Sequence, residues 1–214
     1  LLIRRVLKKL QWSSNKILIE KPYNFNSKIL DIKNSIYLQG YWQNYDYFSA
    51  HKNKIQEIFK FQALSKEEMK LFREFLHIKN LISIHIRRGD YINKKNKNIF
   101  YQLDGLYYKQ SIDYIESRVN NPHFLIFSDD FDWVRKNLNF SEQKFTLMDF
   151  IPDTLLNFKL MCLCKHHIIA NSTFSWWPAW LKKQTNDKIV IAPKKWLNGE
   201  LQPSGLIMPS WIRF

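Results

Sequence analysis

Arginine and aspartate residues placed at the end of an apolar run are the clearest chemical feature of this 214-residue chain. The segment "LISIHIRRGDY" (81–91) turns from apolar residues to Arg87, Arg88, Gly89 and Asp90. A guanidinium is a permanently charged planar fork that pairs two donors with phosphate or carboxylate oxygens. The glycine favours a sharp turn and a close approach of the backbone to a ligand. The segment therefore indicates a diphosphate site, although an Arg–Asp ion pair that closes a loop explains it equally well.

A second apolar run ends in carboxylates. The stretch "IFSDD" places Ser128, Asp129 and Asp130 after this run. Carboxylates in such a position can accept hydrogen bonds from a base or a ribose. The alternative is that Ser128 or Asp129 caps a helix that begins near Phe131, and the sequence does not choose between the two explanations.

A third apolar run leads into hydroxyl side chains at a predicted helix start, in "IIANSTFSWWPAWL" (168–181). Ser172, Thr173 and Ser175 open this helix, whose first turn is expected to accommodate Pro178. Hydroxyls and free backbone N–H groups at a helix start form an anion site. Capping explains one of these hydroxyls but hardly three. The tryptophans of the same stretch can stack on a sugar, although core packing explains them better.

The cluster "CLCKHH" (162–167) is not predicted to bind metal. Cys162 and Cys164 lie on a helical stretch, where residues two apart face away from each other. A second ligand pair at zinc spacing is absent from the sequence. With two cysteines in the chain, a disulfide framework is not expected, which favours a reducing cytoplasm.

The elements that must position these side chains alternate along the chain from residue 65 onward. Helical spacing of apolar residues predicts helices, and short apolar runs predict strands. The predicted strands are 81–86, 123–128, 166–171 and 188–193, and the predicted helices are 65–77, 106–119, 131–138 and 153–165. This alternation predicts an α/β fold with a parallel sheet flanked by helices, in which ligands bind at the carboxyl ends of the strands.

The charge of the chain favours an anionic partner. Lys and Arg number 33 against 19 Asp and Glu, so the formal net charge is +14. Nucleic acid, an acidic membrane surface and a phosphorylated substrate all suit this charge. A nucleic-acid-binding protein is disfavoured because the distinctive residues concentrate at strand ends rather than among aromatics on one surface. The basic opening "LLIRRVLKKL" predicts a solvated first helix, with a membrane-surface helix as the alternative, and 93–100 predicts an exposed loop.

Taken together and in order, "HIRRGDY", "FSDD" and "NSTFSWWPAWL" resemble the bacterial alpha-1,2-fucosyltransferases of glycosyltransferase family 11. The stretches "YLQGYWQNYDYF" (37–48) and "APKKWLN" (192–198) also fit, so the resemblance runs from about residue 35 to the end. It implies a GT-B-type architecture with part of an N-terminal acceptor-side domain at 1–64 and a Rossmann-like donor-binding domain at 65–214. The implied reaction is inverting transfer of L-fucose from GDP-fucose to the 2-hydroxyl of a terminal galactose.

The resemblance also implies a setting and a set of site residues. The expected role is synthesis of surface polysaccharide such as lipopolysaccharide. The protein is expected in the cytoplasm, peripheral at the inner face of the membrane, and it is expected to need no metal or other cofactor and to bind no nucleic acid. Arg87 becomes the main diphosphate contact, and Asp90 either takes the acceptor proton or orients Arg87. The other implied donor contacts are His85 and Arg88 in the same motif, Asp129 and Asp130 at the guanosine, and Ser172, Thr173, Phe174 and Ser175 around the phosphates.

Two departures from the family pattern bear on activity. A glycine-rich "GGLGNQ"-like opening segment is not found in this sequence, which predicts a fragment of a longer protein. The region 94–98 offers no carboxylate where some related fucosyltransferases place a general base. The chain alone is therefore expected to turn over GDP-fucose little or not at all, and a catalytically inactive sugar-nucleotide-binding module is the alternative function.

Overall fold

The computed structural model describes residues 17–21, 24–59, 64–138, 144–200, 202–203 and 205–214. The chain divides into two compact units, one with the residues up to 52 together with 202–208, and one with 53–201 and 209–214. The domain boundary expected after residue 64 stays a prediction about the whole protein. The basic opening segment 1–10 lies outside the described residues.

The first unit contains a small parallel sheet. Strand β1 (Ile17–Ile19) pairs with β2 (Tyr37–Gln39). The Glu20 carboxylate accepts hydrogen bonds from the backbone N–H groups of Tyr41 and Trp42, at 2.6 and 2.9 Å. These bonds fix the turn after β2, where Trp42 has a positive φ of 53°.

The second unit holds a six-stranded sheet in which all paired strands are parallel. Its strands are β3 (Leu81–Ile86), β4 (His123–Ser128), β5 (Phe145–Leu147), β6 (His166–Ile168), β7 (Val190–Ala192) and β8 (Ile212–Arg213). The α-helices described are α1 (Lys52–Ile58), α2 (Lys66–Leu76), α3 (Gly105–Glu116), α4 (Phe131–Asn137), α5 (Thr154–Leu163) and α6 (Thr173–Leu181). The predicted α/β class with a parallel sheet is therefore confirmed.

The strand order β5-β4-β3-β6-β7-β8 makes the sheet doubly wound. The chain builds outward from β3 through β4 to β5, then returns to place β6 on the other side of β3 and builds outward again. This is the order typical of Rossmann-like sheets, whose ligands bind where the winding direction reverses. In this sheet the reversal lies between β3 and β6.

Strand β3 is buried along its whole length because helices cover both faces of the sheet. Ile82, Ile84 and Ile86 pack on one face with Tyr108 and Ile115 of α3. The opposite face is covered by Phe72 and Phe75 of α2 and Leu160 of α5. Ser83 and His85 are the polar residues of this strand; Ser83 pairs with His167 of β6 and His85 with Ser175 of α6, as described below.

The predicted elements are present, with bounds that differ mainly at their ends. Strands 81–86 and 123–128 match their predictions, whereas 166–171 and 188–193 shorten to β6 and β7. The four predicted helices shift by at most three residues at either end. The short strands β5 and β8 were not predicted, because three and two residues carry no periodicity. Among the described helices, none is long and apolar enough to cross a bilayer.

Candidate active site

Arg87 follows the last residue of β3, at the point where the winding of the sheet reverses. Its Nη2 lies 2.8 Å from Oδ1 of Asp90, and its Nη1 lies 3.0 Å from Oδ2 of Asp129. The loop-closing ion pair considered from the sequence is thus present. A guanidinium has five N–H donors, so two contacts leave others for a ligand, and 35% of the Arg87 side chain is exposed. Arg87 is held by carboxylates yet open to solvent.

Arg88 bridges the ends of β3 and β4. Its backbone N–H donates to Oδ1 of Asp129 at 2.8 Å, and its Nε lies 3.2 Å from Oδ2 of Asp130. Its Cζ lies 4.4 Å from the ring centre of Trp133 in α4, a cation–π contact. Arg88 therefore joins two strand ends, and Trp133 is a site residue that the sequence reasoning missed. Its position at the third residue of the predicted helix after Asp130 was the available signal.

The helix that follows β4 is capped by Asp130. Its Oδ1 accepts a hydrogen bond from the backbone N–H of Trp133 at 3.0 Å. The expectation that Ser128 or Asp129 caps this helix is wrong, because α4 begins at Phe131 and Asp130 immediately precedes it. Ser128 instead accepts from the backbone N–H of Asp130 at 2.9 Å. The predicted guanosine contacts of Asp129 and Asp130 stay predictions.

Gly89 lies in a turn, as expected, and it also has a tertiary role. A β-carbon built at Gly89 would lie 2.8 Å from Oδ2 of Asp129, which is closer than real β-carbon contacts. The Gly89 backbone does not adopt a positive φ. The glycine therefore makes room for the Asp129 carboxylate that pairs with Arg87, and a side chain there would push this carboxylate away.

The three hydroxyls at the start of α6 have different surroundings. Ser172 caps the helix by accepting from the backbone N–H of Phe174 at 3.3 Å. Ser175 is buried, and its Oγ lies 3.0 Å from Nδ1 of His85. Thr173 is exposed. Capping and a buried pair account for two of the hydroxyls, and the phosphate contact expected of Thr173 stays a prediction.

His85 lies on β3 and is buried against α6. It is 4% exposed, and the centre of its ring lies 5.4 Å from that of Phe174. Burial lowers the pKa of His85 to about 4. The imidazole is therefore neutral at physiological pH and supports the helix start through Ser175.

Pro178 lies in the second turn of α6, so its expected place in the first turn is wrong. A proline there removes the N–H that would bond to the carbonyl of Phe174. Core packing of the tryptophans is confirmed for Trp176 and Trp180, which are buried and stack on each other with ring centres 5.8 Å apart. Trp177 is partly buried and stacks on Phe59.

Tyr91 and Asn171 link the two sides of the reversal point. The Tyr91 hydroxyl donates to the carbonyl of Asn171 at 2.9 Å, and its ring stacks on Phe100 with centres 4.0 Å apart. The Asn171 Nδ2 donates to the carbonyls of Tyr101 and Trp196, at 2.9 and 2.8 Å. Both residues belong to motifs singled out in the sequence, yet neither was predicted as part of the site. Burial raises the pKa of Tyr91 to about 12, so its hydroxyl remains a donor.

The Cys and His residues of 162–167 have separate environments. The Cys164 thiol donates to the carbonyl of Leu160, and burial raises the pKa of Cys162 to about 12. Nδ1 of His167 lies 2.8 Å from Oγ of Ser83, and Nδ1 of His166 accepts from the backbone N–H of Ile189. In the part of the chain that the structure describes, no three His, Cys, Asp or Glu side chains form a group that could hold a metal ion.

Comparison with known proteins gives a family and several relatives. Residues 8–213 match the profile described as glycosyl transferase family 11. The chain is 39% identical over 186 residues to an alpha-1,2-colitosyltransferase of Escherichia coli. The aligned region covers 85% of the chain and 63% of that protein. It is 35% identical over 211 residues to the O-antigen biosynthesis glycosyltransferase WbnK of Escherichia coli, an alignment that covers 90% of the chain and 65% of that protein.

A more distant relative is the galactoside 2-alpha-L-fucosyltransferase SEC1 of Bos taurus, 26% identical over 187 residues, with coverages of 82% and 50%. The chain spans less than two thirds of the length of these relatives. No solved structure matches the chain. The match over nearly the whole sequence, together with the identity to the two Escherichia coli proteins, shows that the chain belongs to glycosyl transferase family 11.

Proposed function

We propose that the protein to which this chain belongs transfers L-fucose from GDP-fucose to the 2-hydroxyl of a terminal galactose, with inversion at the anomeric carbon. Family membership supports glycosyl transfer, and the more distant relatives include galactoside fucosyltransferases. The observation that carries the proposal is the position of Arg87, a partly exposed guanidinium at the reversal point of a doubly wound sheet. We further propose a GT-B-type architecture, with this sheet as the donor-binding side.

Arg87 is the residue assigned to the diphosphate. When the bond between the anomeric carbon and the β-phosphate oxygen breaks, its electron pair goes to the phosphate, and negative charge accumulates on GDP. A fixed cation beside that oxygen stabilises the transition state more than the ground state. The contacts of Arg87 with Asp90 and Asp129 hold the guanidinium in place before the reaction. The exposed Thr173 and the first N–H groups of α6 complete the phosphate contacts from the opposite side.

Asp90 is assigned the orientation of Arg87, to which it is bound at 2.8 Å. The acceptor hydroxyl attacks the anomeric carbon and loses its proton late in the reaction, to solvent or to the leaving phosphate. The second role open to Asp90 is that of the base that takes this proton. The two roles predict different behaviour of the Asp90→Asn variant, described in the Discussion.

Colitose is a second candidate for the transferred sugar. The alpha-1,2-colitosyltransferase relative is 39% identical to the chain, whereas the bovine fucosyltransferase is 26% identical. Colitose is fucose without its 3-hydroxyl, so both donors present the same diphosphate and the same leaving group. Arg87 and Thr173 would serve either donor.

Transfer is proposed to proceed without a divalent ion or another cofactor, because Arg87 and the α6 N-terminus supply positive potential beside the diphosphate. An assay with excess EDTA checks this, and activity should persist. Loss of activity that Mg²⁺ or Mn²⁺ restores would instead make Asp129 and Asp130 metal ligands. The proposed setting is surface polysaccharide synthesis in the cytoplasm, at the inner face of the membrane.

The decisive experiment measures release of GDP from GDP-fucose and GDP-colitose, with lactose and free galactose as acceptors. The chain of 214 residues and a version extended upstream are compared, with Arg87→Ala in the extended protein as the inactive control. We expect the extended protein to release GDP with one of the two donors and the shorter chain to do so weakly or not at all. GDP binding without release in the extended protein would favour an inactive sugar-nucleotide-binding module, and RNA binding without GDP binding would favour a nucleic-acid-binding protein.

A further inference from the structure

The loop that follows the Arg87 motif exposes both apolar and basic side chains. The segment "INKKNKNI" (92–99) begins with Ile92 and ends with Ile99, which are 46% and 50% exposed. Lys94, Lys95 and Lys97 lie between them, and all three are exposed. The segment contains no acidic residue. Apolar and basic side chains are therefore exposed together within one short segment.

The loop 92–99 is ordered by its own hydrogen bonds. Its backbone forms successive hydrogen bonds, from the N–H of Lys97 to the carbonyl of Asn93 and from the N–H of Phe100 to the carbonyl of Asn96. Oδ1 of Asn93 accepts from the backbone N–H groups of Lys95 and Asn96. Nδ2 of Asn96 donates to the carbonyl of Asp90 at 3.0 Å. The exposed isoleucines are therefore part of a hydrogen-bonded loop.

A second basic segment lies beside the loop. Asn198 donates through Nδ2 to the carbonyl of Lys97 at 2.9 Å, and its backbone N–H donates to the carbonyl of Ile99. Lys194 and Lys195, both exposed, precede Asn198 along the chain, and Nζ of Lys195 lies 5.5 Å from the ring centre of Tyr101. We call 92–99 together with Lys194 and Lys195 the basic rim. Within the described residues, none of its five lysines forms an ion pair.

Apolar side chains flanked by lysines are the combination that binds the surface of an anionic bilayer. The lysines are attracted to lipid phosphates, and the isoleucines enter the boundary between headgroups and acyl chains. Single-stranded nucleic acid would instead need exposed aromatic rings on which bases stack, and the basic rim exposes isoleucines in their place. The net charge of +14 supports the same attraction over a longer range.

We propose that the basic rim is the surface by which this protein contacts an anionic lipid bilayer. The contact lies beside the candidate active site, because Asn96 is bonded to Asp90 and Phe100 stacks on Tyr91. A bilayer on the rim therefore brings the Arg87 side of the sheet close to acceptors carried at that surface. This inference rests on the exposed side chains and does not require the donor to be fucose.

The test is co-sedimentation of the purified protein with vesicles of phosphatidylcholine alone or with one third phosphatidylglycerol. The first variant combines Lys94→Gln, Lys95→Gln and Lys97→Gln. Each lysine near an anionic surface contributes about fivefold in partitioning, so the triple variant should bind anionic vesicles roughly a hundredfold more weakly. A second variant, Ile92→Ser with Ile99→Ser, should bind several-fold more weakly.

A matched control changes the charge equally at a different place. Lys66→Gln, Lys70→Gln and Lys79→Gln alter three exposed lysines on and after α2, and this variant should bind vesicles as the unaltered protein does. Thermal midpoints within a few degrees of each other show that all variants are folded. Equal binding to neutral and anionic vesicles, or equal loss in the rim and control variants, would overturn the proposal. Tighter binding to single-stranded RNA than to anionic vesicles would assign the rim to nucleic acid instead.

Discussion

The hydroxyl of Tyr91 donates a hydrogen bond to the main-chain carbonyl of Asn171 at 2.9 Å, across the reversal point of the sheet. Tyr91 follows the Arg87 motif after β3, and Asn171 precedes the serine that caps α6. The bond therefore ties together the two segments proposed to contact the diphosphate. Together with the contact of His85 with Ser175, it links the ends of β3 and β6.

Removal of this hydroxyl in Tyr91→Phe should lower the free energy of unfolding by about 1 kcal/mol, the net contribution of a hydrogen bond, and should also weaken GDP binding because the two segments are no longer tied. The phenyl ring keeps its stacking on Phe100, so the variant should remain folded. Titration calorimetry with GDP measures the effect. Tyr107→Phe is the control, since the Tyr107 hydroxyl also donates to a buried carbonyl, that of Ile169 at 2.7 Å. Equal losses of GDP affinity in the two variants would contradict a specific role of the Tyr91 hydroxyl in positioning the diphosphate site.

Arg87→Ala and Arg87→Lys should both leave a folded protein and lower transfer by orders of magnitude in a complete, active protein. Lysine keeps the charge but cannot form the two-pronged contact of a guanidinium. Initial rates of GDP release measure the loss. Arg118→Lys, an exposed arginine stacked on Tyr114, serves as the control and should keep normal rates. Near-normal turnover of Arg87→Lys would show that Arg87 is not the diphosphate contact.

Asp90→Asn separates the two roles open to this carboxylate. Asparagine keeps an oxygen that can accept from Arg87, so turnover should fall less than tenfold if Asp90 orients the guanidinium. Asp90→Ala removes the oxygen that accepts from Arg87, so turnover should fall further than in Asp90→Asn. A comparable fall of several orders of magnitude in both variants, with loss of the acidic limb of the pH–rate profile, would make Asp90 the base.

The free energy of unfolding should decrease as the pH falls from about 6.5 towards 4. Burial lowers the pKa of His85 and His166 to about 4 and that of His167 well below its ordinary value. An unfolded histidine has a pKa of about 6.5, so in this range the unfolded chain binds protons that the folded chain does not. The stabilisation is complete above pH 6.5 and is lost on acidification.

Urea unfolding at a series of pH values measures this dependence. His167→Asn should flatten the pH dependence, because one buried imidazole is removed. His77→Asn, at the exposed C-terminal end of α2, should leave it unchanged. An unchanged slope in His167→Asn would show that the acid sensitivity comes from other groups.

The sequence predicted the parts of the site that depend on a single segment. The strand 81–86 is apolar throughout, and the residues after it necessarily lie at its carboxyl end, so Arg87 could be placed without a structure. The contacts of Arg88 with Trp133 and of His85 with Ser175 join residues 45 and 90 positions apart. Such contacts depend on which strands become neighbours, and local patterns do not carry that information.

Gly89 illustrates the same limit. The turn expected at Gly89 is present, but the room that it leaves for Asp129, which follows another strand, could not be predicted from the motif. The short strand β8 was missed for a related reason, since two residues extend the sheet only because β7 is already there. Local sequence specified the centre of the sheet, and tertiary contacts specified its margins.

Both margins of the six-stranded sheet are formed by very short strands, β5 with three residues and β8 with two. Each margin therefore offers few main-chain groups to a strand from another molecule. Association of copies by continuous strand addition, the first step towards amyloid-like fibres, has little template here. Folded copies of this unit should accordingly not join edge to edge through this sheet.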